Sequence, residues 1–202
     1  YNTSTGFMDD RLRNKTGAYT AGNYPVDNLI PLTDPYRSAS LQTAFVHVNN
    51  AAPETITTAV LQDKADATNN IVDWVFLELR NAVNAGTILQ TRSALLQRNG
   101  AIVDLDGISL VYFKNIEPGL YTIAVRHRHH LGISTDPAAI TPLVDVNATG
   151  PIVDFSDLPS TLIFGTDNAY ASAGNIRMLW AGNANANGNV RYNGPSNDRD
   201  HL

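Results

Sequence analysis

The segment Asn183-Ala184-Asn185-Ala186-Asn187-Gly188-Asn189-Val190 sets side-chain oxygens at the first, third and fifth positions of a loop, glycine at the sixth and an apolar residue at the eighth. That is the spacing of a calcium loop, where glycine makes the sharp turn and alternate residues point oxygens at the ion. Calcium is a hard cation that favours several oxygens, some of them charged, and here the donors are amides. Position twelve is Gly194 rather than an acid, so the missing charge would come from Asp198 or Asp200 folding back beyond Pro195. Asn183, Asn185, Asn187, Asn189 and Asp198 are thus the candidate Ca2+ ligands. The plainer alternative is a polar Asn-Gly loop without metal.

Histidines offer a second chemistry. His127 and His129 fall on one face of a strand pattern, a possible geometry for two zinc ligands. That face continues Tyr121, Ile123 and Val125, so a hydrogen-bonded histidine at the core edge is the simpler reading. No carboxylate or cysteine stands at ligand spacing nearby.

Arg80, Arg92, Arg98, Arg126 and Arg128 lie on or beside predicted strands, with Asp73, Glu78, Asp104 and Asp106 available as partners. Cross-strand ion pairs on a solvated face account for them. The functional alternative is an anionic-glycan or lipopolysaccharide site, since a guanidinium binds carboxylate or phosphate as a fork. Alternation turns Arg126 and Arg128 outward and His127 inward. Arg126, Arg128 and Tyr192 are accordingly the candidate partner or glycan contacts. Tyr19, Tyr24, Tyr36 and Trp180 could stack on sugar rings, but most are more simply read as packing or capping residues that bury the ring and keep one polar atom wet.

For catalysis the chain carries no Gly-x-Ser-x-Gly elbow, no His-Glu-x-x-His, no phosphate-binding loop and no cysteine, the usual sequence signatures of nucleophilic and metal-assisted chemistry. Acid pairs such as Asp9-Asp10 and Asp104/Asp106 suit turns. The reading is a non-enzyme.

The elements that must position these residues are strands. Ile71 to Arg80 is rich in β-branched and aromatic residues: Ile71, Val75, Leu77 and Leu79 share one face, and Trp74 and Phe76 cover part of the other. A strand apolar on both sides belongs at the centre of a sheet. Arg92 to Arg98 leads through Asn99-Gly100 to Ala101-Ile102-Val103, a hairpin signal of the type I′ kind. Asp106-Gly107 marks the next reversal and Leu110 to Phe113 another strand. Glu117-Pro118-Gly119 suits a tight turn with positive φ at the glycine, and Leu120 to His130 alternates as a long strand. Short, closely spaced strands predict an all-β fold, an antiparallel β-sandwich.

Residues 1–54 read as a loop-rich N-terminal part packed on the sandwich, with Ala44 to Val48 extended; residues 55–180 as the sandwich core, opening on Thr55 to Leu61; residues 181–202 as the Asn-rich tail. Further strands are expected at Ile152 to Phe155, Thr161 to Phe164 and Ile176 to Trp180. Together these form a single structural domain.

The run from Asp106-Gly107 through Phe113-Lys114-Asn115-Ile116 and Pro118-Gly119 to the Tyr-Thr-Ile-Ala-Val strand resembles prealbumin-like and collagen-adhesin B-type modules, which are immunoglobulin-like extracellular sandwiches. A resemblance over more of the chain rests on Ile30 to Tyr36, Ile71 to Arg80, Thr91 to Arg98, Val125 to Gly132, and Trp180 to Asn183 through Asp200. These segments look like a module that recurs in secreted surface proteins of Bacteroidota, adhesin-like or hemagglutinin-like and associated with type IX secretion. The resemblance implies an extracellular or cell-surface location and a structural or adhesive role. Similar sequences, and dockerin-like calcium loops generally, carry Asp where this chain has Asn183 and Asn187, so the loop is a degenerate one. In similar sequences a short apolar strand precedes the pair seen here as Tyr1-Asn2. Its removal would open a sheet edge to strand addition from another chain.

Composition fits these expectations. At 202 residues the chain can bury a sizeable core. It has no cysteine, hence no disulfides, and no apolar stretch long enough to span a bilayer. Tyr1 opens no signal peptide, which suggests a processed form. A net charge of −5 with charges scattered argues against nucleic acid. The expected function is a non-enzymatic structural or adhesive module of a bacterial cell surface, possible subunit of a self-assembling fibre; the competing one is a carbohydrate-binding module of a secreted glycan-degrading enzyme. Expected partners are itself or neighbouring surface-protein domains, or a glycan, with no membrane span.

Overall fold

A computed structural model describes residues 5–13, 29–117, 119–137, 143–144, 153–182 and 191. The fold is all-β and antiparallel. Among the described residues eight strands are formed: β1 (Ile71–Asn81), β2 (Ile88–Gln97), β3 (Ile102–Val103), β4 (Gly119–His127), β5 (His130–Ser134), β6 (Leu143–Val144), β7 (Ala171–Ala173) and β8 (Ile176–Met178). The main sheet runs β3-β2-β1-β4-β5, with β6 also on β4, and β7 pairs with β8 separately. No helix among the described residues is long and apolar enough to cross a membrane.

β1 is central, as its two-sided apolar pattern requires. Every residue from Ile71 to Leu79 is buried, which removes the polar alternation of a half-exposed strand. The chain divides into two compact units, each drawn from three separated stretches: residues 1–35, 52–75 and 93–111 in the first, and 36–51, 76–92 and 112–202 in the second.

In the first unit, β2 and β3 pair with Leu95 opposite Val103 and Leu96 opposite Ile102. The turn differs from a type I′ hairpin. Gly100 alone has positive φ, +94°, while Gln97 N–H donates to Ala101 O and Gly100 N–H to Gln97 O. This is the three-residue loop in which only the last residue must be left-handed, so Asn99 keeps ordinary φ. Leu110 contributes a single bridge to Val103, and residues 111–113 form no strand. The Asp106 side chain takes the amides of Ile108 and Ser109, which places the expected reversal before Leu110. Thr55 to Leu61 likewise holds one bridge, Thr55 to Thr33, and then a 3-10 turn over Thr58–Leu61.

In the second unit, β1 and β4 pair from Phe76 opposite Arg126 to Asn81 opposite Tyr121. The β1–β2 connection closes on Asn81, whose Oδ1 accepts from Val83 and Asn84 N–H. The expected turn at Gly119 lies earlier: Asn115 carries the positive φ, 56°, and Gly119 already begins β4. Tyr121 Oη donates to Glu117 O at 2.7 Å, tying the strand's start to the chain before it. The long strand to His130 is instead two, because β4 ends at His127 and β5 begins at His130 across a tight reversal. Ala44 to Val48 is not a strand but irregular chain held by Thr91, which donates its N–H to Val48 O and accepts from Val48 N–H on Oγ1. Thr161 to Phe164 gives a 3-10 turn over Ser160–Leu162 and one bridge, Ile163 to Thr135. Of Ile152 to Phe155 the described part is not a strand.

Both flanking strands of the main sheet carry pairing segments. Val103 of β3 is bridged by Leu110, and β5 is bridged at His130 by Ala181 and just beyond its end at Thr135 by Ile163. Covered flanks of this kind suppress edge-to-edge association.

Candidate functional site

The site grows from the register of β1 on β4. With Phe76 opposite Arg126, alternation puts Phe76, Glu78 and Arg80 on the same face as Arg126, Ala124 and Thr122. Glu78 and Arg126 are then diagonal neighbours, within reach of long side chains. Glu78 Oε1 accepts from Arg126 Nη1 at 2.8 Å, and its Oε2 accepts from Arg80 Nε at 2.8 Å and also from Arg80 Nη2. Arg80 Nη1 donates to Ala85 O at 3.2 Å.

Glu78 is 1% exposed and the two guanidinium side chains 27% each. These are therefore not ion pairs on a solvated face, and Arg126 does not simply point outward. The reason lies in the loop that covers the face: Tyr36, Phe45 and Phe76 form an aromatic group with ring centroids 4.6 to 5.4 Å apart. The Arg126 guanidinium lies over Phe45, 4.5 Å from its centroid. A weakly hydrated, planar guanidinium suits that position better than a compact, strongly hydrated ammonium.

β5 completes the surroundings. Its register on β4 shifts between Val125 and His127, because Val125 faces Ile133 while His127 faces His130. Two residues, Leu131 and Gly132, stand opposite Arg126, and such a bulge re-aims the side chain it faces. A Cβ on Gly132 would meet Arg126 Cγ at 3.0 Å and Val125 O at 3.1 Å, so glycine is what lets the arginine stem lie across the strand. The outcome is an open cleft of about 190 Å3 lined by Arg80, Ala124, Arg126, Gly132, Ile133, Ser134 and Phe164. Phe164 donates its N–H to Ser134 O at 3.0 Å, holding its 65% exposed ring at the rim.

The histidines converge at the β4–β5 reversal rather than along one strand. His127 is buried, as alternation implied, and its Nδ1 lies 2.8 Å from His130 Nδ1 and accepts the His129 N–H at 3.1 Å. Two ring nitrogens at that distance share one proton, one donating and the other accepting.

Two further polar groups belong to the first unit. Arg13, 1% exposed, donates from Nη2 to Asp10 Oδ2 at 2.8 Å and Asp63 Oδ1 at 3.0 Å, and from Nη1 to Leu61 O at 2.9 Å. Asn70 Nδ2 donates to the same Asp10 oxygen at 3.0 Å, and Lys64 N–H donates to Asn70 Oδ1 at 2.9 Å. Asp10 is thus a buried anchor rather than an ordinary turn acid. Asp34 and Glu54 are also buried; Asp34 N–H donates to Glu54 O, Glu54 Oε2 accepts from Ser93 N–H at 2.7 Å, and carboxylate oxygens of the two lie within 4.8 Å of each other. Carboxylates so placed could bind a metal ion, given further donors.

Hydrogen bonding lowers three exposed carboxyls below their ordinary range. Asp106 is held down by the Ser109 hydroxyl and then by the Ser109 and Ile108 amides. The backbone and hydroxyl of Thr68 do the same for Asp66. Tyr170 and then Ser160 do so for Asp167, whose hydrogen bond in turn raises the Tyr170 phenol. Each pins a turn.

Of the residues marked out by sequence, Arg126 lies in the cleft and Arg128 in the β4–β5 reversal beside it in the chain. Asn183, Asn185, Asn187, Asn189, Asp198 and Tyr192 fall outside the described residues. Sequence reasoning missed Ser134 and Phe164 as cleft residues and Asp34 with Glu54 as an acidic pair. The members of each set are 20 to 30 positions apart in a chain where such residues are common. A hint for Arg126 was available, since Glu78, like Asp73, stands as a charged residue within the mostly apolar run of a central strand.

No family model matches the chain. No curated protein and no solved structure matches it either.

Proposed function

We propose that this protein is a non-enzymatic, extracellular adhesive module of a bacterial cell surface. The observation that carries this reading is the Arg80–Glu78–Arg126 cleft: recognition side chains are mounted on paired strands, fixed by a buried carboxylate, and left with one open side. Strand-borne groups lose little freedom on binding, which suits a surface that must engage repeatedly. The resemblance to secreted Bacteroidota modules agrees with it. Because β3 and β5 already carry pairing segments, assembly with a second copy at those flanks would proceed through side chains rather than strand addition.

Beads coated with the protein should be retained on immobilised polysaccharide or on a bed of the protein itself better than albumin-coated beads. Equal retention on every surface, together with a strictly monomeric protein in concentrated solution by ultracentrifugation, would overturn the reading.

A second reading, a carbohydrate-binding module of a secreted glycan-degrading enzyme, is favoured by the exposed Phe164 ring at the cleft's rim and by Trp180, which is half exposed. Saturable binding in a polysaccharide affinity screen, without self-association, would select it.

A further inference from the structure

We infer that the cleft between β4 and β5 binds the carboxylate of an acidic sugar, a uronic-acid residue of a glycan. This deepens the adhesive reading and rests on it.

Charge sets the ligand's sign and limits its size. Two guanidiniums and one carboxylate meet at the cleft, so one positive charge is left uncompensated, which matches a single carboxylate better than a dianion. The free valence can be located. Arg80 spends Nε and Nη2 on Glu78 and Nη1 on Ala85 O. Arg126 spends only Nη1, on Glu78 Oε1, and no described residue takes its Nε and Nη2 edge. That edge presents two parallel N–H donors, the fork that receives a carboxylate in bidentate fashion.

The fork is preset. Glu78 clamps one side of the guanidinium, Phe45 lies beneath its plane at 4.5 Å, and the Gly132 bulge accommodates its stem. Little side-chain freedom remains to be lost when a ligand arrives, so even a small anion gains from the contact.

Shape points to a sugar rather than a bare ion. At about 190 Å3 the cleft is smaller than the pockets that hold drug-sized molecules and suits one ring with its acid group. Ser134 lies in the lining, and its hydroxyl type suits the ring's hydroxyls as donor or acceptor. Phe164, 65% exposed at the rim, offers an apolar face for ring C–H groups. An open cleft also admits one unit of a longer chain, which a closed pocket would exclude.

The test is a nuclear magnetic resonance titration of the whole chain with methyl glucuronide, methyl glucoside, acetate and inorganic phosphate as separate probes. Methyl glucuronide should bind saturably in the millimolar range and shift residues 124–134 and 162–164, with the neutral glucoside at least about tenfold weaker. Arg126→Lys keeps a positive charge for Glu78 but removes the fork, and should weaken glucuronide about tenfold while the rest of the spectrum stays folded. Phe164→Ala should weaken glucuronide and leave acetate unchanged.

Equal binding of glucoside and glucuronide, or shifts confined to other residues, would overturn the carboxylate. Acetate or phosphate binding as tightly as glucuronide would overturn the sugar. If Arg126→Lys abolishes glucuronide binding but coated beads still adhere, this inference stands as a site and the adhesive reading must find its contact elsewhere; if wild-type beads fail to adhere while glucuronide binds, the site stands and the adhesive reading falls.

Discussion

Replacing Glu78 by glutamine is the perturbation that the architecture makes most informative. The carboxylate is 1% exposed and holds two guanidiniums, with N–O distances of 2.8 Å to Arg126 Nη1 and to Arg80 Nε. With charge centres about 4 Å apart and an effective dielectric near 20, each pair contributes about 4 kcal/mol of gross attraction. Much of that offsets the cost of burying the carboxylate, and each arginine, 27% exposed, regains water once its partner is neutral. Breaking a buried pair costs about 3–5 kcal/mol when the surviving charge is trapped, so partial exposure sets the expectation near 3 kcal/mol.

Urea unfolding followed through Trp74 and Trp180 would show it as a lower midpoint at unchanged slope, and thermal unfolding as a fall of about 6–12 °C. Arg126→Met should cost much less when combined with Glu78→Gln than alone, since its partner has already gone. Replacing Glu78, Arg80 and Arg126 together by methionine should recover most of the loss, because an apolar group of similar volume carries no desolvation cost. A Glu78→Gln protein within about 1 kcal/mol of wild type, or an Arg126→Met cost that is the same in both backgrounds, would refute the argument.

Arg13→Ala should be at least as damaging, by about 3–5 kcal/mol in denaturant unfolding, because it strands Asp10 without its cation in a fully buried position; Asp63, which is more exposed, should cost under about 2 kcal/mol when changed to asparagine. Asp106 gives a pH signature. Its carboxyl is held below the ordinary range by Ser109 and Ile108, so its stabilisation is complete above the unfolded value of about 4 and is lost as pH falls through the lower folded value. Asp106→Asn should therefore flatten the decline of unfolding midpoint below about pH 4; a decline as steep as in wild type would show that the turn is not the titrating element. Gly100→Ala should cost about 1 kcal/mol through its +94° φ alone, since nothing lies within 4 Å of the added methyl, a value read from urea midpoints.

Whatever depends on neighbours along the chain was legible in the residues alone. The two-sided apolar run Ile71 to Leu79 required a central strand, and β1 is one. Asn99-Gly100 required a reversal, and Asp106 a turn, because glycine and short polar side chains act on their own backbone. Sequence overreached where a short apolar stretch had no partner to pair with: Ala44 to Val48, Thr55 to Leu61, Leu110 to Phe113 and Thr161 to Phe164 have strand-like composition, yet a ladder needs a second chain segment in register. Periodicity alone cannot supply that segment. Pairing between distant segments decided the rest. Only the offset of Phe76 against Arg126, the bulge at Leu131–Gly132 and the aromatic cover of Tyr36 and Phe45 turn three scattered charges into one buried clamp with an open fork. Register belongs to two strands at once, and a shift of one residue would have sent Arg126 to the other face.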